Sequence, residues 1–181
     1  YYREGKFETA AEHKPDYLRI SQAERERAEK EKNAKPEVRG MTIEDGAAVA
    51  EMEHQSFSDA WSEKAVLETL RQPTALCLVA EKAGRRVGYL LAYQAADEIE
   101  IARVAVVEEV KRQGVGTALM KKLQEEGTQR KARKILLDVR EKNHMAQAFY
   151  EKIGFKEDGI RKRFYTEPEE DAVLMSMQIS G

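Results

Sequence analysis

Two different patterns of hydrophobic and polar positions divide the chain near residue 37. Residues 1–37 include 18 charged side chains, and Leu18 and Ile20 are their only large aliphatic residues. Such a segment cannot bury enough apolar surface to form a core of its own. Within it, Ser21 to Lys32 combines strong helix formers with opposite charges four positions apart. We expect a charged tail or linker, either as a solvated helix or as a disordered segment.

The remaining residues, 38–181, are dense in apolar positions whose spacing alternates between the strand period and the helix period. This pattern predicts one domain with the order β-α-α-β-β-β-α-β-α-β-β, which is typical of an α/β (α+β) fold. We expect a mixed, mostly antiparallel sheet with helices on both of its faces. The predicted elements are strands at Val38–Met41, Ala75–Ala80, Val87–Tyr93, Ile99–Val107, Ile135–Val139, Phe155–Tyr165 and Ala172–Ile179, and helices at Thr42–His54, Glu63–Leu70, from Gly114 onward, and at Asn143–Ile153.

Charge and cysteine content exclude several classes of protein. The chain has 31 Lys and Arg residues against 33 Asp and Glu, so it lacks the cationic excess that phosphate-backbone binding requires. Cys77 is the single cysteine and lies in an apolar run, which excludes an internal disulfide and favours a buried, inert thiol. The three histidines have no metal-ligand spacing, and no apolar run is long enough to span a bilayer. We therefore expect a cytoplasmic protein without a metal site.

Two closely spaced glycines suggest an anion-binding loop between a strand and a helix. Gly114 and Gly116 lack side chains, so backbone N–H groups there can approach an anion, and the helix dipole adds positive potential. The spacing matches neither the Walker loop nor the dinucleotide-binding fingerprint, because Leu119 stands where a third glycine would be. A strand-to-helix turn that simply needs flexible residues is the structural alternative.

The run from Lys111 to Gly116 resembles the coenzyme A diphosphate loop of the GNAT acetyltransferase superfamily, Gln/Arg-x-x-Gly-x-Gly/Ala. Lys111 departs from that signature, because it keeps a charge but loses the planar fork of arginine. The resemblance implies that acetyl-CoA is the cosubstrate and that its pantetheine amides pair with an exposed strand edge. Such an edge requires the two central strands to splay apart. The implied cofactor-binding residues are Val104, Ala105 and Val106 on the strand, Arg112, Gln113, Gly114, Val115, Gly116 and Thr117 in the loop, and Asn143, which can also cap its own helix.

The segment from Leu137 to Phe155 resembles the RimI branch of this superfamily, whose members acetylate the N-terminal alanine of a small-subunit ribosomal protein. Two shorter segments, Phe57–Ser62 and Ile160–Tyr165, add to the resemblance, which covers roughly residues 38–179. It implies acetyl transfer to a protein N-terminus by direct attack of the amine. An α-amine is about 10% neutral at pH 7, so such an acceptor needs only a modest base.

The same resemblance implies that Tyr150 protonates the departing thiolate, although helical spacing alone would fit a core tyrosine. The general base of the RimI branch is a glutamate at the position of Asp138, whose reach is shorter by about 1.5 Å. Asp138 would then act through a water molecule, and Glu100, Glu141 or no protein base are the alternatives. Phe57 and Trp61 could either line the peptide groove or pack the helices over the sheet.

Two further acceptor and partner classes remain open at the level of sequence. A lysine or a small amine could replace the N-terminal amine as acceptor. Residues 15–24 weakly resemble the C-terminal end of TsaB, a subunit that supports a tRNA modification. The chain could therefore be the acetyltransferase half of a fusion, or a non-catalytic acyl-CoA-binding module of a tRNA-modification complex, and its first residue, Tyr1, fits a fragment.

Overall fold

The computed structural model describes residues 21–179, in two units that meet between Lys35 and Pro36. In the first unit, residues 21–33 form a helix, α1, whose side chains are almost all exposed, so the helical alternative of the sequence analysis applies there. Most of the TsaB-like stretch lies outside the described residues. The assignment of residues 1–37 to a linker or to the end of a fused domain stays a prediction.

The second unit contains the predicted order of strands and helices. Its sheet has seven strands in the order β1-β2-β3-β4-β5-β7-β6, and only the β4–β5 pair is parallel. The predicted fold class, a mixed and mostly antiparallel sheet, is therefore confirmed. The elements are β1 (Glu37–Gly40), α2 (Gly46–Ser56), α3 (Glu63–Leu70), β2 (Ala75–Lys82), β3 (Arg85–Ala95), β4 (Glu98–Val106), α4 (Val115–Gln129), β5 (Lys134–Arg140), α5 (His144–Ile153), β6 (Lys156–Thr166) and β7 (Glu169–Gln178).

Two neighbouring residues of β3 show how helices cover both faces of the sheet. A Cβ on Gly88 would lie 3.1 Å from Val115 of α4, so α4 packs closely on that face. The next side chain, Tyr89, points to the opposite face and donates a hydrogen bond to Glu53 of α2. The buried side chains of β2, β3 and β5, Cys77 among them, fill the space between these layers.

Local capping residues set the start of α3 and both ends of α5 where the sequence predicts, whereas a 3-10 turn follows Thr42 and α2 begins only at Gly46. The Ser62 hydroxyl accepts a hydrogen bond from the N–H of Ala65 at the start of α3, over 3.1 Å. Asn143 does the same for Ala146 at the start of α5, also over 3.1 Å, which confirms its capping role. Gly154 ends α5 with φ of 115°, a conformation that favours glycine.

A buried carboxylate joins the first strand to the start of the helical layer. Asp45 is fully buried and accepts hydrogen bonds from Arg39 at 2.7 and 2.9 Å, from Arg86 at 2.6 Å and from the Thr42 N–H at 2.8 Å. The Arg39 guanidinium is the main cause that holds the pKa of Asp45 well below its usual range. Asp45 is therefore charged at neutral pH.

We expect Asp45→Asn to lower the free energy of unfolding by about 2 kcal/mol, since both arginines are partly exposed and the loss is screened. Because the folded pKa lies below the unfolded one, this contribution is complete above about pH 4 and is lost as the pH falls further. Urea titrations of both proteins at pH 7 and at low pH measure the difference. Asp158→Asn, at an exposed position, is the control, and a difference that persists undiminished at low pH would contradict the assignment.

Candidate active site

The parallel strands β4 and β5 diverge in the middle of the sheet. Their pairing covers Glu98 to Glu100 on β4 and ends there, although β4 continues to Val106. On its other side, β4 stays paired with β3 up to Val106. The edge formed by Val104, Ala105 and Val106 therefore faces β5 across an opening, as the sequence analysis predicts for a pantetheine-binding edge.

The glycine loop follows the open end of β4 and leads into α4. Gly114 is the N-cap of α4 with φ of 83°, and open space surrounds the position of its missing Cβ. No side chain caps this helix, in contrast to α3 and α5, so the first amides of α4 at Val115, Gly116 and Thr117 have no side-chain acceptor. An uncapped helix N-terminus with a left-handed glycine before it can bind an anion.

Gly116 has a second reason to lack a side chain. A Cβ there would lie 3.1 Å from Cζ of Phe149, so the close approach of α5 to α4 requires a small residue. The two glycines thus differ, because Gly114 provides backbone conformation and Gly116 provides room for an aromatic ring. The sequence alone could not separate these two requirements.

Tyr150 comes from α5 beside this loop. Its side chain is 9% exposed, and its ring makes edge contacts with Phe149 and Phe155 at centroid distances of 5.3 and 5.5 Å. Burial, and secondarily the neighbouring Tyr165, raises the pKa of Tyr150 to about 12. The phenol is therefore protonated at neutral pH, which a proton donor requires.

Asp138 lies on β5 where that strand has separated from β4. It alternates with the buried Leu137 and Val139, so its carboxylate lies on the other, half-exposed face of the strand. Burial raises its pKa, and the charge of Arg161 partly opposes this effect. A raised pKa makes the carboxylate a stronger base than a solvated aspartate.

The alternative bases are less well placed. Glu100 is exposed and lies in the last residue pair of the β4–β5 ladder, opposite Leu136, two residues before Asp138 along the strands. Glu141 is exposed and follows the end of β5. Neither has the half-buried position of Asp138 at the opening.

The structure adds Tyr165 of β6 to this group. Burial and, secondarily, the negative charge of Asp138 raise the pKa of Tyr165 to about 12. The guanidinium of Arg140 stacks on the Tyr165 ring at 4.2 Å from the centroid. Tyr165 therefore interacts electrostatically with both Asp138 and Tyr150. In the sequence, Tyr165 is visible only as the last residue of the segment Ile160–Tyr165. Its interactions with Asp138 and Arg140 of β5 could not be inferred there.

A buried ion pair fixes the loop between α2 and α3. Glu53 is fully buried, and its Oε1 accepts hydrogen bonds from Arg103 Nε at 2.9 Å and from the Trp61 N–H at 3.0 Å. Its Oε2 accepts from the Tyr89 hydroxyl. Arg103, on β4, also lies 4.1 Å from the ring centroid of Phe57 and is 12% exposed. Sequence reasoning missed Glu53 and Arg103, since a charged pair 50 residues apart has no local signal.

Phe57 and Trp61 pack around the Arg103 guanidinium, which lies 4.1 and 5.4 Å from their ring centroids. Packing of the loop is therefore a role that the structure gives to both rings. At the outer end of the same loop, the Ser58 hydroxyl donates to the carbonyl of Glu167 in the β6–β7 turn, over 3.3 Å. The first loop is linked to Arg103 of β4 and the turn is held by Arg140 of β5, so their contact spans the opening between these two strands.

Two other features are absent from the described residues, 21–179. These residues contain no cluster of three or more His, Cys, Asp or Glu side chains suited to a metal ion. No helix within this range has the length and apolarity needed to cross a membrane. Burial raises the pKa of the Cys77 thiol to about 11, so this side chain is not an activated nucleophile.

Comparison with known proteins agrees with this geometry. The model of the acetyltransferase (GNAT) family matches residues 46–155. A Bacillus subtilis (strain 168) protein, provisionally named a ribosomal protein bS18-alanine N-acetyltransferase, is 37% identical over 147 residues, which are 81% of this chain and 97% of that protein. The crystal structure of the Escherichia coli ribosomal-protein-S18-alanine N-acetyltransferase has a TM-score of 0.74 at 29% identity, over 81% of this chain and 96% of that one.

A third comparison concerns the fold alone. An acetyltransferase-like protein from Salmonella typhimurium, solved with its cofactor acetyl-CoA, has a TM-score of 0.66 at 18% identity, over 80% of this chain and 94% of that one. The resemblance read from the glycine loop and from the segment Leu137–Phe155 is confirmed by the family match and by the first two relatives. The chain therefore belongs to the GNAT family of acetyltransferases.

Proposed function

We propose that this protein transfers an acetyl group from acetyl-CoA to the N-terminal α-amine of a protein, and that the acceptor is the N-terminal alanine of ribosomal protein bS18. The acceptor class rests on the B. subtilis and E. coli relatives, since this chain matches nearly the whole length of both. A lysine or small-amine acceptor has no comparable support.

The observation that carries the proposal is the separation of β4 from β5 after Glu100. It leaves the backbone of Val104, Ala105 and Val106 available to pair with the amides of pantetheine as an added strand. The same strand leads directly to the uncapped N-terminus of α4, where a diphosphate would bind. A linear cosubstrate with amides at one end and a diphosphate at the other fits this arrangement.

We assign the diphosphate to the loop residues and the reacting atoms to α5 and β5. Arg112, Gln113, Gly114, Val115, Gly116 and Thr117 would surround the diphosphate, and Asn143 would contact the cosubstrate while it caps α5. Asp138 would accept the proton of the amine through a water molecule, since its side chain is short, and its raised pKa favours that step. Tyr150 would donate a proton to the thiolate as the C–S bond breaks.

In this reaction the amine nitrogen attacks the thioester carbonyl and forms the new C–N bond. The electron pair of the C–S bond leaves on sulfur, which takes the proton of Tyr150. The proton lost by the amine goes to Asp138 and then to solvent, and the Tyr150 phenol is reprotonated from solvent. No covalent enzyme intermediate is required, because Cys77 is buried and the site has no activated nucleophile among the described residues.

Residues 1–37 and the cellular setting form a separate part of the proposal. We assign this segment to a charged linker at the end of a fused TsaB-like domain, on composition and on the weak resemblance of residues 15–24. Such a fusion would connect the acetyltransferase domain, residues 38–181, to a tRNA-modification complex. Because the proposed acceptor is a ribosomal protein, we propose that the reaction occurs in the cytoplasm.

A pair of peptides that differ only at the N-terminus tests the acceptor. Each carries the first ten residues of mature bS18 and at least one lysine, and one of the two has a blocked α-amine. We expect the free peptide to be acetylated at its N-terminus and the blocked peptide to be turned over at least about 100-fold more slowly, because a lysine is neutral less than one part in a thousand at pH 7. Mass spectrometry locates the acetyl group, and equal turnover of both peptides would overturn the proposed acceptor.

A further inference from the structure

A buried lysine lies behind the glycine loop. Lys82, the last residue of β2, is 1% exposed, and its Nζ donates a hydrogen bond to Oε1 of Gln113 over 2.5 Å. Lys82 directly precedes the turn between β2 and β3, yet its side chain is buried. A buried ammonium is costly unless it is hydrogen-bonded, and the side-chain carbonyl of Gln113 in the loop supplies one such bond.

Gln113 stands between two residues with left-handed backbone conformations. Arg112 has φ of 66° and Gly114 has φ of 83°. A non-glycine residue in this region is strained by about 1 kcal/mol or more and persists only where its surroundings hold it. The loop that precedes α4 therefore needs support from outside its own backbone.

The side chain of Gln113 receives that support at both ends. Its Oε1 accepts from Lys82, and its Nε2 donates to the carbonyl of Glu109 over 3.4 Å. Its backbone N–H donates to the carbonyl of Val110 over 3.3 Å. The link to Lys82 is the one that ties the loop to a strand of the sheet, 31 residues away in sequence.

We propose that Lys82 is a positioning residue for donor binding, because it holds Gln113 and thereby keeps the loop in the conformation that directs the α4 amides at the diphosphate. This inference rests on the proposed function, in which that loop binds the diphosphate of acetyl-CoA. Lys82 acts through Gln113 and does not contact the reacting atoms. Its loss therefore affects ligands with a diphosphate and spares ligands without one.

The test compares the binding of coenzyme A with that of pantetheine, which lacks the diphosphate and the nucleotide. Isothermal titration calorimetry of the full chain gives both dissociation constants without any acceptor peptide. For Lys82→Met, we expect the affinity for coenzyme A to fall about tenfold, equivalent to ~1.4 kcal/mol, while the affinity for pantetheine stays within about twofold. The ratio of the two dissociation constants is insensitive to partial unfolding, because an unfolded fraction raises both apparent constants by the same factor.

Two further variants separate the positioning role from other effects. Gln113→Ala removes the same hydrogen bond by changing its partly exposed partner. The binding comparison can therefore be made with this variant if Lys82→Met does not fold. We expect it to lose the same preference for coenzyme A, and the double variant to lose no more than either single one. Lys64→Met removes a charge from a side chain that is 86% exposed on α3, and we expect it to keep the wild-type ratio.

The outcomes distinguish this inference from the proposed function. If wild type binds coenzyme A no more tightly than pantetheine, the loop is not a diphosphate site and the proposed function loses its donor site. If wild type has the preference and Lys82→Met retains it in full, Lys82 has no positioning role. Equal losses for both ligands, or fully additive losses in the double variant, also overturn the inference.

Discussion

Replacement of Tyr150 by Phe is expected to lower kcat about 100-fold while the KM for acetyl-CoA changes less than about threefold, because general acid catalysis contributes factors of this order. The ring of Tyr150 packs between Phe149 and Phe155, and phenylalanine keeps these contacts. The variant therefore removes one proton donor and little else. Steady-state kinetics at saturating acceptor peptide, with a thiol assay for released coenzyme A, measures the change.

Tyr93→Phe is the matched control for this substitution. Tyr93 lies on β3, and its hydroxyl donates to Thr69 Oγ1 over 2.9 Å. Its removal should cost about 1 kcal/mol of stability and leave kcat unchanged. A Tyr150→Phe enzyme that keeps more than half of the wild-type kcat would show that Tyr150 is a core tyrosine, which is what helical spacing alone suggests.

Arg103→Met is expected to lower the free energy of unfolding by about 3–5 kcal/mol, because it leaves the carboxylate of Glu53 buried without its cation. Glu53 has no exposed surface, so solvent cannot replace the guanidinium. The guanidinium also contacts the rings of Phe57 and Trp61, and methionine restores only part of that packing. Urea denaturation monitored by the fluorescence of Trp61, the single tryptophan, measures the loss.

The double variant Glu53→Met, Arg103→Met tests whether the unpaired charge of Glu53 causes the loss of stability. Removal of both charges also removes the unpaired ion, so we expect the double variant to be more stable than Arg103→Met alone. Arg71→Met, at an exposed position after α3, is the control and should change stability by less than about 0.5 kcal/mol. A loss below about 1 kcal/mol for Arg103→Met would mean that the pair is solvated in solution.

The same variant has a kinetic consequence, since Arg103 fixes the loop between α2 and α3. That loop reaches the β6–β7 turn through Ser58 and Glu167, across the opening where the acceptor would enter. At a temperature where the variant is folded, we expect the KM for the peptide to rise more than the KM for acetyl-CoA. Equal changes in both would show that the network supports only the global fold.

Local signals explain how much of the fold and the site could be predicted. The order of strands and helices follows from apolar periodicity, and the ends of α3 and α5 follow from Ser62, Asn143 and Gly154, whose partners lie within four residues. The glycine loop, the open strand edge and the candidate residues Tyr150 and Asp138 were likewise accessible, because the motif and its resemblance are continuous in sequence. The aspartate at position 138, one methylene shorter than the glutamate of the RimI branch, is also visible without a structure.

Long-range polar pairing accounts for what the sequence left undetermined. Glu53 with Arg103, and Lys82 with Gln113, are separated by 50 and 31 residues, and a charged side chain has the same local pattern whether it is solvated or buried in a pair. The partners of Tyr165 on β5 are hidden for the same reason. The amino-acid sequence by itself thus determined the elements and the family, and it supplied the candidate reacting groups. Only the tertiary structure decided which charges are buried and which loops they hold, because burial depends on contacts between strands and helices that are distant along the chain.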